Sequence, residues 1–326
     1  FLKAGGAKAV FFDLILSEAS TYGVDDDRLF AEAMTRSGNV LLPVFLSAEE
    51  REVEAGETRL LEKSALDRSR VPGPAVHALK SVSLPVDVLA AAAVKVGNVQ
   101  FVPDGDSVYR RLPLVFRYGG RLLPALPLAM AEFISTGVDL YKVPLDPSGN
   151  MILHFFGARG TYQTLSIGAI INSQARIEEG LEPQVQPREF AGKTVIVGTT
   201  AAGLLDFRPT PFGGVYPGIE ILATALDNIV HGDAIREAPA AVIWVSVLFF
   251  ALLAGMGTSM LKKTGHLAAL GLFLPALAAA GSLLAARTGV WVEFVAPAFA
   301  ALSAFIGAAL LSYGVEGRQR RFIKNA

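Results

Sequence analysis

The sequence predicts an α/β domain with a mixed, mainly parallel sheet, followed by an all-α region of three transmembrane helices. Two observations lead to this prediction. In residues 1–237, short apolar runs rich in Val, Ile and Phe alternate with stretches of helical spacing, as in α/β folds. In residues 238–315, three apolar runs follow one another, each long enough to cross a bilayer. Residues 316–326 are rich in basic side chains, and we expect them to begin a connector.

The composition lies between that of a soluble protein and that of a membrane protein. Hydrophobic residues make up 52% and charged residues 18% of the chain, and the mean hydropathy is +0.44. A net charge of −1 gives no polyelectrolyte character, so we expect no nucleic-acid partner. The absence of cysteine excludes a disulfide framework and thiolate chemistry in this sequence, and it suits an oxidising compartment.

The opening of the chain is typical of a β-α-β unit. Residues 7–15 are an apolar run with Asp13 near its carboxyl end, which indicates a strand buried on both faces. Residues 25–27 are three aspartates that open a helix, and Gly38 ends it. These carboxylates fit a cation site less well than an acidic first turn, which complements the helix dipole. Residues 39–46 predict the second strand.

The middle of the domain has weaker signals. Residues 47–70 carry charges of both signs without a wide apolar face, so we expect a surface excursion. A helix over 86–94 and a strand over 98–102 follow. Residues 104–106 resemble part of a calcium loop, but the further acidic ligands of an EF-hand are missing from the sequence. We therefore predict a hairpin turn there.

Further alternation of strands and helices continues the α/β pattern. Residues 109–116 and 121–123 flank a Tyr-Gly-Gly turn and predict an antiparallel hairpin. A helix over 125–134 and strands over 151–156 and 194–198 follow, the last of them predicted to be buried.

The end of the domain contains a turn-rich stretch and a helix. Residues 208–214 are rich in Pro and Gly, and a helix is predicted from Pro217 to Val230. The four histidines show no metal-ligand spacing, so no metal site is expected.

The three membrane spans are predicted at residues 239–261, 267–286 and 290–313. Glu293 is placed in the first turn of the third span, where its carboxylate can reach the interface. A bundle of buried helices in a soluble protein is the alternative, but three consecutive runs of this length argue against it.

Basic residues near the spans predict the orientation in the membrane. The first short loop carries Lys262 and Lys263, and the second carries only Arg287. The tail after the third span carries Arg318, Arg320, Arg321 and Lys324. Because Lys and Arg near span ends favour the cytoplasmic side, the tail is expected inside and the α/β domain outside.

Several blocks of this sequence stand out together. They are VFFDLILSE, DDDRLFAEAM and NVLLPVF near the start, then GKTVIVGTTAAGLLDFRPTPFGG and PGIEILATALDNIVHGD, followed by three spans and a basic tail. In this order they resemble the type-two CHASE sensor domain. This family supplies extracytoplasmic domains to bacterial adenylate cyclases, histidine kinases and serine/threonine kinases. The resemblance implies an anchor helix before Phe1, an output domain after Ala326, and a multi-pass protein of the bacterial inner membrane with a periplasmic or extracellular domain.

The resemblance also leads to a candidate ligand site. In open α/β sheets a ligand usually lies beyond the carboxyl ends of the strands, which makes Asp13, Thr199, Thr200 and Asp206 candidate pocket residues. Loop turns and helix caps are the alternative interpretation of the same residues.

A stripe of small residues on the third span predicts close helix packing. The stripe consists of Ala300, Ala304, Gly307 and Ala308. We interpret it as the packing face of a homodimer. The other expected partners are membrane lipid and an unidentified extracytoplasmic ligand or protein.

Three functions fit these observations. The tail GRQRRFIKNA most resembles the junction to a class III nucleotide cyclase, so an input module for cyclic AMP synthesis is the first. The second is the same module driving a histidine or serine/threonine kinase, and the third is a non-signalling membrane assembly protein. No catalytic constellation or cofactor motif is found in the sequence. A cyclase output would need ATP and a divalent metal.

Overall fold

The structure is a computed structural model, and the chain divides into two compact units. It describes residues 1–49, 57–73, 76–135, 137–200, 206–261 and 263–324. The units are Phe1–Ala234 and Ile235–Ala326, so the division lies close to the predicted boundary after residue 237.

The first unit contains both strands and helices. Its strands are β1 (Ala9–Phe12), β2 (Val40–Ser47), β3 (His77–Ala78), β4 (Ser81–Ser83), β5 (Val96–Asn98), β6 (Arg111–Pro113), β7 (Val115–Tyr118), β8 (Arg121–Pro124), β9 (Asn150–Ile152), β10 (Thr194–Val197), β11 (Phe207–Thr210) and β12 (Gly213–Pro217). Its helices are α1 (Val24–Ser37), α2 (Glu57–Ser64), α3 (Asp87–Ala92), α4 (Leu126–Ile134), α5 (Ile167–Glu178) and α6 (Gly218–His231).

The main sheet is mixed and mainly parallel, as predicted. Strand β1 lies between β10 and β2 and runs parallel to both, with Val10 opposite Val195 and Val40. On β2, strand β5 pairs in parallel and β4 pairs in the antiparallel sense. The predicted opening β-α-β unit is confirmed, and Gly38 ends α1 with a left-handed backbone, φ 66°.

Both faces of this sheet are buried under apolar side chains. Phe11 and Leu41 belong to a core cluster that includes residues of α4 and α6. Val10 and Leu42, their neighbours in sequence, belong to a second cluster that includes residues of α1 and α3. Because side chains alternate along a strand, one sheet supplies two cores, and this explains the unbroken apolar runs in the sequence.

Several predicted elements are shifted, and local contacts explain two of the shifts. The strand expected at 98–102 is β5, which ends at Asn98, because the Asn98 side chain accepts hydrogen bonds from the N–H groups of Leu46 and Gln100. The strand expected at 194–198 is β10, which is half-buried instead of buried because it lies at the end of the strand order. The strand expected at 151–156 is the shorter β9.

The turns predicted from the sequence lie in hairpins of the first unit. The hairpin around Tyr118-Gly119-Gly120 is confirmed as β7–β8. Residues 104–106 lie in a hairpin turn, as predicted, because Asp104 N–H donates to Val108 O at 3.0 Å and Ser107 N–H donates to Asp104 O at 2.9 Å. The turn-rich stretch 208–214 contributes to an antiparallel hairpin, β11–β12. Helix α5 was not predicted.

The second unit contains three helices long and apolar enough to cross a membrane. They are α7 (Ala240–Met260), α8 (Thr264–Ala286) and α9 (Val295–Lys324), and the apolar part of α9 is Val295–Gly314. Two short strands, β13 (Arg236–Glu237) and β14 (Val290–Trp291), pair with each other. The third helix therefore starts at Val295 and not at residue 290, and Glu293 precedes it instead of lying in its first turn.

Small residues bring the three helices close together. Ala254 of α7, Leu274 of α8 and Ala301 of α9 form a small buried cluster. At Gly271, an added Cβ would lie 3.1 Å from the ring of Phe305, so the ring occupies the space that a larger residue would need. The packing of the bundle thus depends on small residues at the helix contacts, as is common where helices meet in a membrane.

Replacing Gly97 tests the close approach of β5 and α4. An added Cβ would lie 2.5 Å from Leu126 Cα, so Gly97→Ala forces the backbone apart. We expect the free energy of unfolding to fall by about 1 to 3 kcal/mol. Gly105→Ala is the matched control, because nothing lies within 4 Å of its added Cβ. Urea unfolding in detergent measures both, and equal effects would contradict the packing described here.

Candidate functional site

The predicted site residues Asp13, Thr199 and Thr200 lie at the carboxyl ends of two neighbouring strands. Asp13 directly follows β1, and its N–H donates to Val197 O of β10 at 2.7 Å. The threonines come two and three residues after Val197 and are half-buried. Because β1 and β10 are parallel, Asp13 and the segment after β10 lie at the same edge of the sheet.

Asp206 lies against the first residue of α6. Its main-chain oxygen accepts a hydrogen bond from Gly218 N–H at 2.9 Å. A Cβ at Gly218 would come within 2.2 Å of Asp206 Oδ2, so only glycine leaves room for this carboxylate. The start of a helix carries a partial positive charge, which attracts the negative end of a polar side chain there.

Arg208 forms an ion pair with the carboxylate of Asp206. Its Nε and Nη2 lie 3.1 Å and 3.0 Å from Asp206 Oδ1. The guanidinium is 5.4 Å from the ring centroid of Tyr109 and 5.7 Å from that of Phe101, and it donates to Tyr109 Oη at 3.3 Å. Sequence reasoning missed Arg208, Tyr109 and Phe101. In the sequence, the one feature that could have pointed to Arg208 is its position two residues after the candidate Asp206.

Asp13 is the group at this edge whose proton affinity is altered most clearly. Burial raises the pKa of its carboxyl to about 7, the charge of Asp206 adds to the rise, and Arg208 opposes it. A Cβ at Gly198 would lie 3.1 Å from Asp13 Cβ, so the side chain packs closely against the end of β10. The site therefore contains one carboxylate paired with Arg208 and one carboxyl whose pKa is raised to about 7.

Polar groups elsewhere on α6 have structural partners. Glu220 accepts two hydrogen bonds from Gly160 N–H, at 3.1 and 2.9 Å. Asn228 is buried and binds the main chain of His154 through both ends of its amide. These contacts attach α6 to the segment that follows β9. In the ranges that the structure describes, no three His, Asp or Glu side chains are grouped so that they could hold a metal ion.

The small-residue stripe of the third span is used partly within the chain. Ala304 packs on the cluster formed by Ala254, Leu274 and Ala301. Gly307 is different, because an added Cβ there would meet nothing within 4 Å. The role of Ala300, Ala304, Gly307 and Ala308 in a homodimer stays a prediction.

An α/β domain joined to three apolar helices defines a class of membrane-anchored modules. The family model of the CHASE2 domain matches residues 1–261, and the chain belongs to this family. The match continues through α7, so it includes the first span as well as the α/β unit. No curated protein and no solved structure shows significant similarity to the chain. CHASE2 is an extracytoplasmic domain, so the protein is a membrane sensor module with its α/β unit outside the cytoplasm.

Asp13→Asn tests the altered carboxyl through the pH dependence of stability. The folded state holds the Asp13 proton up to about pH 7, whereas the ordinary pKa is 3.8. A carboxyl with a raised folded pKa stabilises the fold at low pH, and this contribution is lost as pH rises from about 4 to 7. Above pH 7 the variant should therefore be more stable than the parent, by about 2 to 4 kcal/mol.

Unfolding in urea at pH 5 and pH 8 measures this difference. Asp25→Asn is the control, because it removes the same charge at an exposed position in the first turn of α1. A difference between Asp13→Asn and parent that is the same at both pH values would contradict the assignment.

Proposed function

We propose that the chain is the input module of a bacterial signalling receptor and that it regulates a class III nucleotide cyclase following Ala326. The observation that supports this most directly is the length of α9. Its apolar part ends at Gly314, but the helix continues to Lys324. Ten further residues extend it by about 15 Å, which suits a stiff link between membrane and output domain.

The ligand is proposed to bind beyond the carboxyl ends of β1 and β10. Asp13 and Asp206, together with Thr199 and Thr200, supply polar groups at this edge, and Arg208 positions one of the carboxylates. Two carboxyl groups at one edge of the sheet favour a ligand that donates hydrogen bonds or carries positive charge.

The proposed location is the bacterial inner membrane, with the carboxyl terminus in the cytoplasm. The four basic residues after the third span support this orientation through the positive-inside rule. A cyclase output would use ATP and a divalent metal, bound by residues outside this sequence.

Cysteine labelling tests the orientation, because the chain has no cysteine of its own. Tyr22→Cys introduces a thiol at a position that is 93% exposed in the α/β unit, and Arg318→Cys introduces one in the tail. In intact cells an impermeant maleimide should label Tyr22→Cys, and it should label Arg318→Cys only after permeabilisation. The reverse pattern would refute the proposed topology.

The output is tested in the full-length protein by assaying cyclic nucleotide formation from ATP. We expect cyclase activity that changes at least threefold when the α/β unit carries Asp13→Asn. Autophosphorylation without cyclase activity would instead identify a kinase receptor. Absence of both activities would support the non-signalling membrane protein.

We also propose that the third span packs in a homodimer through the face that carries Gly307. Gly307→Leu should weaken association at least threefold in a crosslinking assay, because the open space beside Gly307 is available to a second chain. Ala304→Leu is the comparison, since Ala304 already packs inside one chain and its enlargement should lower the thermal stability of the bundle. If Gly307→Leu leaves association unchanged, this face is not the interface.

A further inference from the structure

Two short segments that precede membrane helices pair with each other. Strand β13 lies three residues before α7, and β14 lies four residues before α9. The strands are parallel, with Arg236 opposite Val290 and Glu237 opposite Trp291. Arg236 N–H donates to Gly289 O at 2.8 Å, and Ala238 N–H donates to Trp291 O at 3.0 Å. We call this pair the β13–β14 ribbon.

Parallel pairing has a consequence for the helices that follow. Because the two strands of the ribbon are parallel, α7 and α9 begin on the same side of the bundle. Helix α8, which lies between them in the sequence, runs in the opposite direction. A further contact joins the ribbon to α8, because Ser282 Oγ donates to Val292 O just after β14. The ribbon therefore connects the starting points of the first and third spans.

One strand of the ribbon follows the α/β unit along the chain, and the other precedes α9. Helix α6 ends at His231, and β13 starts five residues later, so β13 is the first regular element after the α/β unit. Strand β14 is the last regular element before α9, which continues without interruption to Lys324. A displacement of β13 would thus be passed to α9 by main-chain hydrogen bonds, in addition to the packing of α7 against α9.

The two strands of the ribbon are short and are joined by few main-chain hydrogen bonds. Each main-chain hydrogen bond adds about 0.5 to 1.5 kcal/mol net, and an isolated pair of such short strands is marginally stable. Sliding by one residue would displace the start of α9 by about 3.3 Å. Helix shifts of about 1–2 Å are sufficient for known switches.

We propose that the β13–β14 ribbon couples the extracytoplasmic unit directly to the output helix α9. This inference rests on the proposed function, because it requires an input from the α/β unit and an output after α9. The ribbon is the coupling element, and within the bundle α7 packs chiefly against α9.

A reversible crosslink in the full-length protein tests the proposal. Arg236→Cys and Val290→Cys place two thiols on register partners, in a chain without other cysteines. Neighbouring strands lie about 4.8 Å apart, within the Cα separation that a disulfide spans. Mild oxidation should form the disulfide and change output activity at least threefold, and reductant should restore it. The reduced double variant and the two single variants should match the parent.

An out-of-register pair is the matched control. Arg236→Cys with Val292→Cys moves one thiol two residues beyond the partner of Arg236, so it should crosslink at least fivefold more slowly. Equal rates for the two pairs, or no disulfide at the register pair, would show that the ribbon is not formed and would overturn the inference.

The remaining outcomes separate this inference from the proposed function. If the disulfide forms and output activity does not change, the ribbon does not couple the units, but the input module stands. If the full-length protein has no cyclase activity, the same samples are assayed for autophosphorylation, where a threefold change again supports the ribbon. If neither activity is present, the proposed function fails, and this inference fails with it.

Discussion

The parallel alignment of β1 between β2 and β10 is the constraint on which the α/β unit depends. Its consecutive side chains Val10 and Phe11 enter two different apolar cores, so this one strand holds helices on both faces of the sheet. The same alignment places Asp13 next to the end of β10. Burial of that edge then raises the proton affinity of a carboxyl that would be unremarkable in water. The fold of the α/β unit and the position of Asp13 thus both depend on the pairing of β1 with its two neighbours.

Elements with strong local signals were predicted from the sequence, and elements decided by distant contacts were not. The ends of α1 and α6 were correct because Gly38 and Gly232 adopt left-handed conformations that end a helix. Helix α5 was missed because it leaves Ile167 and Ile171 exposed, so its apolar pattern does not mark a buried face. The start of α9 was placed too early because residues 290–291 are as apolar as a span, yet pair with β13.

The candidate site shows the same division. A topological rule about strand ends selected Asp13 and Asp206, and the charge of Asp206 contributes to the raised pKa of Asp13. Their role in binding a ligand stays a prediction. The rule does not identify Arg208 or Tyr109, because their contact joins residues 99 positions apart in the chain. Membership of the CHASE2 family adds that this edge belongs to an extracytoplasmic sensor domain. The chemistry of the ligand has to come from the side chains themselves.

The unbroken course of α9 has a geometric consequence for any domain attached to it. An α-helix turns by about 100° per residue, so the direction in which such a domain faces depends on how many residues separate it from Gly314. One inserted residue would rotate the domain about the helix axis by about 100°, whereas seven would return it to within about 20° of its original angle. A domain attached to this helix would therefore nearly keep its orientation when the intervening length changes by a whole heptad.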